Sequence, residues 1–295
     1  MVMNIALYSA FFSEETLQYA EATLTYLKSH GHQFTLVQRF RKHLGTEASY
    51  YSYFDEENKL GADVDFLFSI GGDGTLLRAV TLIQDSKIPI LGINTGRLGF
   101  LTTLHCDALT EGLDLLFDKK FTFISRSLLQ VRTKHSISIL EESCIALNEV
   151  SVNRKNTTSM LSIRTELNDK PLTTYWSDGL IISTPTGSTG YSLSSGGPIV
   201  SPTAQCWILN PIAPHNINMR PLIVPDNTEI KISVEGRSKY HLLSLDSRIV
   251  TLENGNDIYI KKAPFAIRTV QLNGSDFFST LREKLFWGQD RRNTQ

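Results

Sequence analysis

An apolar run, Val64 to Ile70, breaks into Gly71-Gly72-Asp73-Gly74 and resumes at once as the helical pattern Thr75, Leu76, Leu77, Val80. A strand feeding a helix through a glycine-rich turn belongs to an α/β sheet. Such a turn leaves backbone amides free and lets an anionic ligand approach closely. The acid among the glycines is the informative residue. A carboxylate repels phosphate, so Asp73 fits either a general base for a hydroxyl or the holder of a metal that itself holds phosphates. An ordinary βα turn with an acid favouring the helix dipole explains the same ten residues. The stretch is not a Walker loop, since no Gly-Lys-Ser/Thr follows, and it lacks the glycine spacing of a dinucleotide fingerprint.

At 295 residues, the chain has room for one large or two medium domains. A net charge of −1 offers no sequence-independent grip on nucleic acid. No apolar run reaches the length of a membrane span. The N-terminus, Met1 to Tyr8, reads as a first buried strand and not as a signal peptide. Cys106, Cys144 and Cys206 are scattered and odd in number, so the expectation is reduced thiols in the cytoplasm with no disulfide framework or zinc site.

The first 120 residues alternate strand and helix patterns. Strands are expected at Asn4–Tyr8, Phe34–Val37, Asp65–Ile70 and Ile88–Ile93. Ser13 is placed to cap a helix whose Leu17, Ala20, Leu24 and Leu27 share a face, with Gly31 as its stop. Further helices are expected at Thr75–Ile83 and Ala108–Phe117. This rhythm predicts a parallel sheet with helices on both faces and ligands at the carboxyl ends of its strands. From Phe121 the rhythm changes. Leu128–Thr133, Ile145–Asn153, Met160–Leu167, Leu180–Thr184, Glu229–Val234 and Asp257–Lys261 are short β runs punctuated by turn formers. The expectation is an α/β N-terminal domain, residues 1–120, and a mainly-β C-terminal domain, residues 121–269. A final helix, Phe277–Trp287, makes 270–295 a candidate addition to the first domain.

Three more constellations carry chemistry. Asn94–Leu101, with two glycines, Arg97 and Phe100, reads either as a ligand-facing loop or as a structural one. Asn148-Glu149 is a polar pair in an apolar strand and needs partners; it suits sugar hydroxyls, while Arg154 offers Glu149 a structural partner. Trp176 to Pro198 strings hydroxyls and glycines around Asp178 and Tyr191, which suits a phosphate or sugar with a stacked ring. A flexible Gly/Ser loop is the plain alternative, opposed by Pro185 and Tyr191. Pro211–Pro225 reads as irregular, with His215 structural or solvated.

Together these motifs resemble the NAD kinase family. The residues that carry the resemblance are Gly71–Gly74, Gly92–Leu101, Asn148-Glu149 and Asp178–Thr189, in matching order and spacing. Gly-Gly-Asp-Gly alone is shared with lipid kinases of the diacylglycerol kinase-like fold; the long Asp178–Pro198 stretch is the specific part. The resemblance implies phosphoryl transfer from ATP to the 2′-hydroxyl of the adenosine ribose of NAD, with Mg²⁺ or another divalent cation bridging the ATP phosphates. It implies Asp73 as proton acceptor and Gly74 beside the dinucleotide. Arg78 stands where relatives carry a basic residue, and Phe100 would line the adenine side. Asn148 and Glu149 would bind ribose hydroxyls, Asp178 would meet the nicotinamide end, and Thr189, Tyr191 and Ser194 would line the adenine and ribose pocket. Gly190 stands where relatives usually have Ala, and Trp176 where they often have Arg. No protein metal ligands are implied. A site in a cleft between the two domains and a homodimer or homotetramer are further implications, with neither nucleic acid nor membrane as partner. A lipid kinase on the same scaffold and a non-catalytic NAD(P) sensor are the rival readings.

Overall fold

Five consecutive buried residues, Phe66–Ile70, cannot belong to a strand with a wet face; they demand cover on both sides, as in a parallel sheet. The computed structural model provides it and describes residues 2–57, 60–61, 63–96, 99–156 and 159–286. The chain divides into two units, Met1–Ser125 with Ile267–Gln295, and Arg126–Ala266.

The first unit contains β1 (Asn4–Tyr8), α1 (Glu14–Ser29), β2 (Gln33–Val37), β3 (Ser52–Phe54), β4 (Phe66–Ile70), α2 (Asp73–Ile83), β5 (Ile90–Asn94), β6 (Leu104–His105), α3 (Leu109–Phe117) and β7 (Phe121–Arg126). A returning strand, Ile267–Leu272, lies between β5 and β7 in the sheet order β3-β2-β1-β4-β5, return strand, β7, with β6 on β5. Strands β1 to β5 pair in parallel. Ser13 caps α1 by accepting the Thr16 amide at 3.2 Å, and Gly31 closes it at φ +71°. The order reverses between β1 and β4, so the loops leaving these two strands open onto the crevice where α/β sheets take ligands. The glycine-rich turn is one of them. Phe277–Leu285 is the terminal helix; Trp287, the end expected from sequence, lies outside the described residues.

The second unit holds two antiparallel six-stranded sheets. Its strands are β8 (Leu129–Thr133), β9 (Ile145–Ala146), β10 (Glu149–Arg154), β11 (Leu161–Leu167), β12 (Lys170–Ser177), β13 (Gly179–Ser183), β14 (Cys206–Ile212), β15 (Leu222–Pro225), β16 (Ile230–Gly236), β17 (Tyr240–Leu245), β18 (Arg248–Glu253) and β19 (Ile258–Lys262). One sheet runs β15-β14-β13-β10-β17-β18 and the other β12-β11-β16-β19-β8-β9. Val150, Val152, Leu180, Ile182, Trp207, Leu243 and Leu245 of the first meet Ile163, Tyr175, Ile232 and Ile260 of the second in one buried cluster.

The segment read as irregular, Pro211–Pro225, in fact contains the end of β14 and all of β15. Proline is tolerated at 211 because β15 pairs β14 only as far as Leu209, so no partner on that side asks Pro211 for an amide.

Trp207 is wholly buried and among the largest side chains in this core. Trp207→Ala is expected to cost about 3–5 kcal/mol, read as a lowered urea midpoint with little change in the slope of the transition.

Candidate active site

The turn after β4 is shaped around one carboxylate. Gly71 sits at φ +145°, where its missing side chain also makes room for Thr75. Asp73 is the first residue of α2, and of the leading amides that of Thr75 is taken by the Gly72 carbonyl at 2.9 Å. The Asp73 side chain turns away from them and accepts from the loop after β5. The Phe100 amide donates to Oδ2 at 2.8 Å. The Leu101 and Thr102 amides donate to Oδ1 at 3.1 and 3.2 Å, and the Thr102 hydroxyl donates at 3.3 Å. Oδ1 is therefore saturated, while Oδ2 keeps one acceptor position for an incoming hydroxyl. The structure thus joins two motifs that the sequence displays separately. Gly99 explains its own presence: a Cβ there would stand 1.7 Å from Asp73 Oδ1.

The other expected residues of this unit surround the same turn. Gly74 faces open space. Arg78 is exposed and lies over the Phe11 ring, 5.1 Å from its centroid. Phe11, in the loop after β1, was not singled out from sequence; the reversal of strand order that makes this loop a candidate is invisible there. The Phe100 ring lies 6.4 Å from Phe277 and under the Lys284 ammonium at 4.8 Å. Arg97 lies outside the described residues.

In the second unit, Asn148 and Glu149 open β10. Their backbone is held by Asp246, in the left-handed turn between β17 and β18. Asp246 accepts the amides of Leu147, Asn148 and Glu149 at 2.9, 2.8 and 3.1 Å. Sequence reasoning missed this residue; an acid in a hairpin turn is too common a signal to single out. Thr184 completes the brace, its hydroxyl donating to the Leu147 carbonyl at 2.6 Å and its amide to that of Asn148 at 2.9 Å.

Glu149 is buried, and its Oε2, like Asn148 Oδ1, has no protein partner. Burial, with the charge of Asp246 behind it, pushes the Glu149 carboxyl up to about 8, the Tyr191 amide pulling weakly the other way. Burial also raises Asp246, against its three amides and Arg248. Arg154 does not pair with Glu149 as expected. The two stand at opposite ends of β10, about 17 Å apart in an extended strand, and Arg154 binds Asp178 Oδ1 at 2.9 Å instead.

Residues 186–194 form two short helical turns. Thr189 donates its hydroxyl to the Thr186 carbonyl at 3.3 Å. A Cβ on Gly190 would lie 3.1 Å from Glu149 Oε2 and 3.3 Å from Asn148 Nδ2, so Gly190 roofs the polar pair. Tyr191 and Ser194 are exposed beside it. Asp178 and the exposed Trp176 belong elsewhere: Gly179 pairs Asn153 and Ser183 pairs Glu149, so β13 separates them from the Asn148–Glu149 cluster along its length. His215 is exposed, its amide donating to the Trp176 carbonyl at 2.8 Å.

The ATP-NAD kinase N-terminal domain model matches residues 2–121, and the ATP-NAD kinase C-terminal domain model matches 147–272. The chain belongs to the ATP-NAD kinase family. It is 47% identical to the NAD kinase of Christiangramia forsetii over 294 residues, 99% of this chain and all of that one. The NAD kinase of Bacteroides fragilis is 38% identical over 98% of this chain and its own whole length. Yeast NADH kinase, solved with NADH, shares the fold at a TM-score of 0.86 and 24% identity, covering 100% of this chain and 90% of its own. The NAD kinase of Archaeoglobus fulgidus, solved with ATP, superposes at a TM-score of 0.73 and 24% identity over 96% and 99%.

Two predictions follow from the carboxylates. Gly99→Ala forces Asp73 off its amides; bonds of this charge-assisted kind are worth about 1.5–3 kcal/mol each, so a loss of at least ~2 kcal/mol in chemical denaturation is expected. Glu149 binds its proton more tightly folded than unfolded. Its contribution is therefore complete below the unfolded value of about 4.3 and lost as pH climbs through about 8. Stability should fall across that window, by at most about 1.4 kcal/mol per pH unit from this group, and Glu149→Gln should flatten the fall. Identical slopes for both proteins would contradict the assignment.

Proposed function

We propose that this chain is an NAD kinase that transfers the γ-phosphoryl group of ATP to the 2′-hydroxyl of the adenosine ribose of NAD. The observation that carries the mechanism is the Asp73 carboxylate, held by three backbone amides with one acceptor position left on Oδ2. A ribose hydroxyl is a poor nucleophile at neutral pH. A fixed carboxylate within hydrogen-bond reach accepts its proton as the phosphoryl group arrives. Because the amides immobilise Asp73 before substrate binds, little reorganisation remains for the reaction itself.

The Asp73 and Gly74 amides at the start of α2 suit phosphate oxygens, and the open space over Gly74 lets a dinucleotide lie against the backbone. Arg78 is the described cation nearest in sequence to this turn. Asn148 and Glu149 offer buried, unpartnered oxygens to ribose hydroxyls. With its carboxyl raised to about 8, Glu149 carries a proton at neutral pH and can donate as well as accept. Thr189, Gly190, Tyr191 and Ser194 frame that pair. Asp178 is oriented by Arg154 for the nicotinamide end, and Trp176 offers an exposed ring beside it.

Phosphoryl transfer of this kind uses Mg²⁺ or another divalent cation to neutralise the ATP phosphates. Among the described residues no cluster of three carboxylate ligands exists to cage such an ion. The fit is to a cation carried on the phosphates and its own waters. The family resemblance also supports a cytoplasmic homodimer or homotetramer. No helix among the described residues is long and apolar enough to cross a membrane.

The test is a coupled assay in which NADP formed from NAD, ATP and Mg²⁺ is reported by an NADP-specific dehydrogenase. Asp73→Asn should keep NAD affinity and lose turnover by ~100-fold or more. Near-normal turnover would remove Asp73 from the role of base. A folded wild-type protein that binds NAD but makes no NADP would favour a sensor.

A further inference from the structure

Three consecutive residues outside the catalytic turn bring a nitrogen, a sulfur and an oxygen donor together. His105 ends β6, and Cys106 and Asp107 begin the turn into α3. His105 Nδ1 lies 3.2 Å from Asp107 Oδ2. Cys106 Sγ lies 3.9 Å from Nδ1 and 3.8 Å from Asp107 Oδ1. Zinc bonded tetrahedrally at its usual distances holds N and O ligands about 3.3 Å apart and S and O or N ligands about 3.6 Å apart. One ligand atom from each of the three lies within 4.8 Å of the other two, and binding would draw them in to that spacing.

His105 Nε2 faces the Gly96 carbonyl at 3.2 Å. Metal-binding histidines characteristically donate their second nitrogen to a carbonyl or carboxylate.

We propose that His105, Cys106 and Asp107 bind one divalent ion of the zinc class, distinct from any cation carried by ATP. A mixed N, S, O donor set suits Zn²⁺ and Co²⁺ and disfavours Mg²⁺. Binding exchanges a proton for the metal: Cys–SH + M²⁺ gives Cys–S–M⁺ + H⁺, so affinity rises with pH. Three protein ligands leave a fourth position for water. The bound ion would pin His105, whose Nε2 already meets the Gly96 carbonyl.

The test uses the full chain stripped of metal with a chelator and titrated with Co²⁺. The expected result is one equivalent bound with a cobalt–thiolate charge-transfer band, displaced by Zn²⁺ and unaffected by millimolar Mg²⁺. Cys106→Ser should abolish the band, while Cys144→Ser and Cys206→Ser should keep it. His105→Gln and Asp107→Asn should weaken Co²⁺ binding by ~10-fold or more. Absence of the band in the wild type, or its survival in Cys106→Ser, overturns the proposal. If circular dichroism shows that Cys106→Ser does not fold, the other two variants decide: affinity equal to wild type in both overturns the proposal.

Discussion

A carboxylate that gathers three consecutive backbone amides is the interaction on which the candidate chemistry rests, and the chain uses it twice. Asp73 collects Phe100, Leu101 and Thr102. Asp246 collects Leu147, Asn148 and Glu149. Successive amides point the same way only where the backbone leaves the regular patterns of helix and strand, so such a segment would otherwise carry unpaired donors. An anion at the centre of the curve satisfies all three at once and fixes the curve. In the first unit the anion is the proposed base and the loop is its support. In the second the roles are exchanged: Asp246 is the support, and the residues it supports present the polar side chains.

This exchange explains the division of charge between the two sites. Asp73 is half-buried, with an acceptor position open to a substrate hydroxyl. Glu149 lies deeper and has Asp246 as a neighbour, so its own charge is disfavoured and its proton retained. On the proposed mechanism, one carboxylate takes a proton and the other keeps one. The same environment that suits Glu149 to a sugar hydroxyl costs stability as the solution becomes alkaline.

What could be read from the sequence follows the range of each interaction. Local signals were legible: the buried run of β4, the Ser13 cap, the turn into α2 and the β run at Met160–Leu167 each depend on neighbours within a few residues. The motif residues were legible as types, because a lone acid among glycines or a polar pair in an apolar strand asks for a chemical reason. The links between them were not. Asp73 meets Thr102 across 29 positions, and Asp246 meets Glu149 across 97. Neither link leaves a local trace, and Asp246 sits in a turn of ordinary composition. The exchange of partners around Arg154 has the same origin: proximity along β10 suggested Glu149, while strand length and the neighbouring β13 delivered Asp178.

Gly190 shows how a single methyl bears on this arrangement. An alanine there would place its Cβ 3.1 Å from Glu149 Oε2 and 3.3 Å from Asn148 Nδ2. Its φ of −94° lies outside the left-handed region. The obstacle is a contact a few tenths of an ångström too short, against an oxygen that has no partner to hold it in place. An alanine would therefore be accommodated by turning Glu149 aside rather than by moving the chain. Glycine leaves Oε2 where it is and leaves the space above it to a ligand. The added backbone freedom of glycine is thus set against a gain in room over the buried acid.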